Sequence, residues 1–113
     1  AGTVRAQEVT AFLGDPVCAR IHGDYTPSEL AKMADLRYLE ILDTDFGDSD
    51  AKALKDLVNL ESLSLEGTSI TNAALENIEA LPKLNRLRLG GTQVTDEGVR
   101  NLQIHLPNCA IEL

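Results

Sequence analysis

One spacing governs this sequence. Leu39, Leu63 and Leu87 stand 24 residues apart, and Ile111 stands 24 further on. Ile41, Leu65, Leu89 and Leu113 form a second series with the same step, Thr44, Thr68 and Thr92 a third, and Phe46, Ile70 and Val94 a fourth. Four series in register make an internal repeat, and a repeat of this length restricts the chain to stacked supersecondary units that share one continuous core.

Written from Leu36, the units are LRYLEILDTDFGDSDAKALKDLVN, LESLSLEGTSITNAALENIEALPK and LNRLRLGGTQVTDEGVRNLQIHLPN, followed by CAIEL. Within each unit the hydrophobic period changes. Leu36, Leu39 and Ile41 end in strict alternation, as a short half-buried strand does. After the Thr, apolar residues move to helical spacing, at Leu54 and Leu57, at Leu75, Ile78 and Leu81, and at Val99 and Leu102. Thr71 before Asn72 and Thr95 before Asp96 mark helix starts, since a hydroxyl suits the cap and a carboxylate or amide suits the first turn.

Composition limits the function. Hydrophobic residues at 43% and charged residues at 25% are those of a globular domain, and aromatics at 4% leave the core to aliphatic side chains. A net charge of -8 opposes both nucleic acid and an anionic membrane surface, which bind concentrated positive charge. No apolar run approaches the roughly 20 residues of a membrane span, and no signal-peptide pattern appears. Two Cys are too few for a disulfide scaffold and suit a reducing cytosol slightly better than export.

The pattern L-x-x-L-x-L-x-x-T-x-I/V/F resembles the leucine-rich repeat family. Thr in place of the commoner Asn, with a helical return, resembles its ribonuclease-inhibitor-like and cysteine-containing sub-types and their small bacterial relatives. Leu106-Pro107-Asn108-Cys109 resembles the last repeat of such proteins. The resemblance covers residues 36–113. It implies an α/β fold, a short right-handed parallel solenoid with strands on a concave face and helices on a convex one. Units 36–59, 60–83 and 84–108 are then its repeats, and 109–113 its terminal strand. Thr44, Thr68 and Thr92 are structural on this reading, because a hydroxyl buried where a strand turns must be bonded.

Residues 1–35 are less regular. Thr3 to Leu13 has a helical apolar face, Val17 to Ile21 reads as a short strand, and Thr26-Pro27-Ser28-Glu29 is a capping box ahead of the inward-facing Leu30 and Met33. Terminal units of a solenoid must close its open core, so this third reads as an α-helical N-terminal cap with a degenerate repeat, within one domain spanning 1–113.

No catalytic constellation stands out. Cys18, His22 and Asp24 are the nearest approach to a nucleophile, base and orienter, but the members of such triads are normally brought together by the fold rather than by adjacency. Inert Cys and loop His account for them better, as they do for Cys109 and His105. Two His and two Cys give no zinc-ligand spacing, so neither metal nor cofactor is expected. Asp43, Asp45, Asp48 and Asp50 are oxygen-rich like a calcium loop but lack its Gly at position six and Glu at twelve. The repeat alignment equates Asp43 with Gly67 and Gly91, Asp45 with Ser69 and Gln93, and Asp48 with Asn72 and Asp96, which makes these turn and helix-start carboxylates. Gly90-Gly91 lacks the spacing and the Lys of a phosphate loop.

Alternation leaves the outward strand residues: Tyr38, Glu40 and Leu42; Ser62, Ser64 and Glu66; Arg86, Arg88 and Gly90; then Ala110 and Glu112. A solvated sheet in which Arg88 pairs with Glu112 is the plain reading. A docking surface is the functional one, because outward Tyr and Arg are favoured anchors. The candidate binding residues are therefore Tyr38, Glu40, Leu42, Ser62, Ser64, Glu66, Arg86, Arg88 and Glu112. The expected function is non-enzymatic binding of a protein or peptide on the concave face, by a monomer or a weakly self-associating chain. The alternative is an assembly unit pairing through its open C-terminal edge.

Overall fold

The computed structural model describes residues 34–113 in full and the backbone of the strand Cys18–His22. The expected helix over Thr3 to Leu13, the capping box at Thr26, and the side chains of Cys18, His22, Asp24, Leu30 and Met33 lie outside the described residues. Among the described residues five strands form one sheet: β1 (Cys18–His22), β2 (Tyr38–Leu42), β3 (Ser62–Ser64), β4 (Arg86–Arg88) and β5 (Ala110–Glu112). They lie in sequence order, and every neighbouring pair is parallel. Between strands the chain returns through a 3-10 helix (Asp50–Asp56), then a 3-10 turn (Asn72–Ala74) running into α1 (Leu75–Ile78), then α2 (Asp96–His105). The architecture is an α/β repeat, the parallel pairing being possible because each return supplies the crossover.

The register reproduces the period. Leu39 lies opposite Leu63, Leu63 opposite Leu87, and Leu87 opposite Ile111. Leu39, Ile41, Leu63, Leu65, Leu87 and Leu89 are buried, with Phe46, Ile70 and Val94 behind them at the turn. The returns complete the core. Ala51, Leu54, Leu57 and Leu60 are fully buried and recur every third residue, the period of a 3-10 helix rather than an α-helix. In the last unit the buried set steps by four, from Gly98 to Leu102 to Leu106, and there a ten-residue α-helix forms.

Hydrogen bonds also repeat. Asp43 N–H donates to Glu66 O at 3.0 Å, and Gly67 N–H donates to Gly90 O at 2.9 Å, carrying the ladder past the strand ends. All three turn residues have positive φ: 52° at Asp43, 74° at Gly67 and 73° at Gly91. A Cβ on Gly67 would strike the carboxylate Oδ1 of Asp43, so glycine is required there by approach as well as by φ. The Thr series behaves structurally. Thr68 donates its hydroxyl to Leu65 O at 2.8 Å, and Thr92 donates to Leu89 O at 2.6 Å. Thr44 Oγ1 accepts from Phe46 N–H at 3.0 Å. Each Thr thus closes the turn of its own unit.

Neighbouring helix starts are clamped to each other. Thr71 and Thr95 are N-caps, accepting from Ala73 N–H and Gly98 N–H. The carboxylate of Asp48 holds the next unit's cap, accepting from Thr71 N–H at 2.8 Å and from its hydroxyl at 2.6 Å. One unit on, the Asn72 amide repeats the clamp, accepting from Thr95 N–H at 3.0 Å and donating to Thr95 Oγ1 at 2.9 Å.

Candidate functional site

The outward face of the sheet is built in rows across the strands. The first row is Tyr38, Ser62, Arg86 and Ala110, and the second is Glu40, Ser64, Arg88 and Glu112. Leu42, Glu66 and Gly90 continue the face at the strand ends. Inward neighbours fix these orientations: Leu39, Leu63 and Leu87 are locked in the core, so the residues flanking them must point away.

Tyr38 is 43% exposed, the largest ring on this face. Arg86 is exposed, and Glu40, Leu42, Ser62, Glu66 and Arg88 are half-buried. Ser64 departs from the expected set. It is on this face but only 5% exposed, because its short side chain lies between Glu40 and Arg88 in the same row. Its hydroxyl donates to Glu66 Oε1 at 3.2 Å, which holds that carboxylate down against the sheet. Ser64 is therefore a floor residue rather than a contact.

The expected ion pair is present. Arg88 Nε lies 3.0 Å from Glu112 Oε2, and Arg86 Nε reaches the same oxygen at 3.8 Å. Hydrogen bonding and charge from Glu112 raise the Arg88 pKa, with smaller contributions from Glu66 and Glu40. On the preceding loops Arg37 pairs with Glu61 at 3.7 Å. These surface contacts are individually weak in energy but fix which way the side chains lean.

The acidic segment finds structural uses. Asp48 clamps Thr71, and Asp50 Oδ2 accepts from Gly47 N–H at 2.9 Å. Among the described residues no group of three His, Cys, Asp or Glu side chains converges as a metal site. Cys109 is a buried free thiol whose pKa is pushed up by desolvation. His105 sits at the end of α2, its Nδ1 3.4 Å from Glu79 Oε2 and 3.1 Å from Asn101 O. No described helix is long and apolar enough to cross a membrane.

The Asp48 and Asn72 clamps are the feature that sequence reasoning missed. Their signal is the 24-residue step of Asp48, Asn72 and Asp96, which in sequence alone is favourable only within each helix start.

Comparison with known proteins bears on the fold. Residues 80–102 match the family model described as Leucine Rich repeat. No curated protein matches the chain significantly in sequence. Among solved structures, a leucine-rich repeat protein of Leptospira interrogans is similar, with a TM-score of 0.32 and 16% identity over 81% of this chain and 36% of that one. The chain thus corresponds to little more than a third of that protein's length. The matched segment surrounds β4, in an α/β fold whose flanking units keep the same 24-residue register.

Proposed function

We propose that the chain is a non-enzymatic interaction module that binds a protein or peptide on the outward face of its sheet. On this reading the whole of 36–113 is a right-handed leucine-rich repeat solenoid of the ribonuclease-inhibitor-like kind, with the strands on its concave side. Residues 1–35 are its N-terminal cap. The observation that carries the proposal is the contrast within each row. Inward positions repeat Leu or Ile from unit to unit, whereas the outward row changes from Tyr38 to Ser62 to Arg86 to Ala110. An exposed Tyr two strands from an exposed Arg puts on one face two of the residue types that dominate binding energy.

The test is affinity capture from native lysate. Wild type is compared with Arg86→Glu/Arg88→Glu and with Ile104→Glu, a change at a 75% exposed residue on α2. Partners lost from the double variant and kept by Ile104→Glu support the outward face. The reverse pattern moves binding to the helices and overturns the proposal.

A further inference from the structure

Charge is sorted along the strand direction. The loops that lead into β2, β3 and β4, residues 35–37, 59–61 and 83–85, are balanced, with Asp35 and Glu61 against Arg37 and Lys83. The segments that leave the same strands, residues 43–51, 66–74 and 90–99, hold seven Asp or Glu and no Lys, Arg or His. Stacking brings these segments together. Asp43 N–H donates to Glu66 O, Gly67 N–H to Gly90 O, Ser69 N–H to Phe46 O and Gln93 N–H to Ile70 O. One margin of the sheet is neutral and the other uniformly negative.

The outward face shares this gradient. Tyr38, Ser62 and Arg86 stand at its strand starts, and Leu42, Glu66 and Gly90 at its strand ends. Both arginines are drawn toward β5, since Arg88 Nε donates to Glu112 Oε2 at 3.0 Å and Arg86 Nε lies 3.8 Å from the same oxygen. Arg20 stands opposite Glu40 in the register of β1 and β2. Glu66 is placed differently. It is half-buried, its Oε1 accepts from the Ser64 hydroxyl at 3.2 Å, and among the described residues it forms no ion pair. Its Oε2 lies beside Gly90, 3.4 Å from where a Cβ would stand, so that residue brings no side chain against it.

We propose that the outward face docks a basic polypeptide segment across its strand ends, with a Lys or Arg of the segment paired to Glu66. This rests on the interaction-module reading and names the chemistry of its partner. The complementarity is electrostatic. The negative margin steers positive charge toward the strand ends and disfavours an acidic segment there. Glu66 fixes the register, because Ser64 orients its carboxylate before the partner arrives. Leu42, half-buried on the preceding strand, offers apolar surface to the stem of a long basic side chain.

The experiment is selection of a random peptide display library on the full chain, followed by affinity measurement of the selected peptides against variants. The expected peptides carry Lys or Arg at one fixed position and lose affinity as salt rises. They should bind Glu66→Gln about tenfold or more weakly, the scale of a lost charged hydrogen bond. Glu76→Gln, the same charge change at an exposed residue of α1, should stay within about twofold of wild type. Gln at position 66 can still accept from Ser64, and circular dichroism melts confirm that each variant is folded. Equal weakening by the two variants means that binding follows net charge alone, which overturns the proposal. Peptides without Lys or Arg that are lost with Tyr38→Ala but ignore Glu66→Gln overturn the basic-partner inference and leave the interaction module standing. Peptides that depend on neither Tyr38 nor Glu66, or a library that yields none, overturn both.

Discussion

The two faces of the sheet obey different rules. Inward, four strands offer Leu39, Leu63, Leu87 and Ile111 at one level, and the first three are at most 1% exposed. Outward at the adjacent level they offer Tyr38, Ser62, Arg86 and Ala110, four side chains with no common chemistry. Packing between units explains the first, because each inward Leu fills space against the unit on either side, where a change of even one methylene is felt. It places no demand on the second. The face freed from packing is the face that can carry recognition.

Truncation should expose this contrast most strongly. Leu65 is fully buried between Ile41 and Leu89, so Leu65→Ala should cost about 2–5 kcal/mol. With domain stability usually about 5–15 kcal/mol, that shift is large enough to unfold a chain of this size in mild urea. Arg86→Ala, on the opposite face, should change stability by about 0.5 kcal/mol or less. Urea denaturation of both variants measures the gap, and equal losses would erase the distinction between the faces.

The turns test whether the repeat is enforced by backbone geometry as well as by packing. Gly67→Ala should cost more than about 1 kcal/mol, because its φ is 74° and its new Cβ meets the Asp43 carboxylate. Asp43 occupies the equivalent left-handed position in the preceding unit with φ 52°. Asp43→Gly should therefore gain up to about 1 kcal/mol, by easing its own φ. In a double-mutant cycle the same change should also soften Gly67→Ala, by removing the carboxylate. Strict additivity of the two would show that the clash is absorbed elsewhere.

Much of this was legible in the sequence. The 24-residue step locates β2, β3 and β4 and the buried positions Leu39, Leu63 and Leu87. Thr71 and Thr95 announce their helices because capping is local chemistry, and the Arg88–Glu112 pair follows from register alone. What escaped depends on two units lying side by side. Ser64 alternates outward like its neighbours, yet its small side chain is covered by the longer Glu40 and Arg88 across the row. Asp48 looks like an ordinary helix-start carboxylate until Thr71 of the next unit is seen against it. The tight first return was partly visible, since Leu54 and Leu57 differ by three, but a pair cannot separate 3-10 from α.

The clamps lie between the two regimes, polar but repeated. Asp48→Ala removes two charge-assisted bonds to Thr71 and should cost about 1.5–3 kcal/mol, less whatever water restores at this partly buried site. Asp48→Asn should retain most of the stability, because Asn72 already makes the equivalent clamp on Thr95 as an amide. Thermal melts of the two variants measure this, and equal losses would mean that charge rather than geometry sustains the clamp.

The smallest effect concerns Cys109, where the core meets the last strand. Its side chain is 5% exposed, and Gln103 Nε2 donates to the carbonyls of Leu106 and Cys109 at 2.7 and 2.8 Å, closing α2 onto the entry to β5. Burial disfavours the thiolate and pushes the thiol pKa up. In the unfolded chain the thiol titrates near its ordinary value of about 8.5. Below that value both states hold the proton and Cys109 adds no pH dependence. Above it the unfolded state releases the proton first, so stability should fall as pH rises through the interval up to the raised folded value. Urea midpoints measured upward from neutral pH should show this slope in wild type and a shallower one in Cys109→Ala. Iodoacetamide should modify Cys109 slowly in the native protein. It should label both Cys once the unreduced chain is unfolded, because Cys18 begins β1 and Cys109 precedes β5, four strand spacings or about 19 Å away. A disulfide needs Cα atoms within about 7 Å, so a Cys18–Cys109 bridge found by mass spectrometry would contradict the strand order itself.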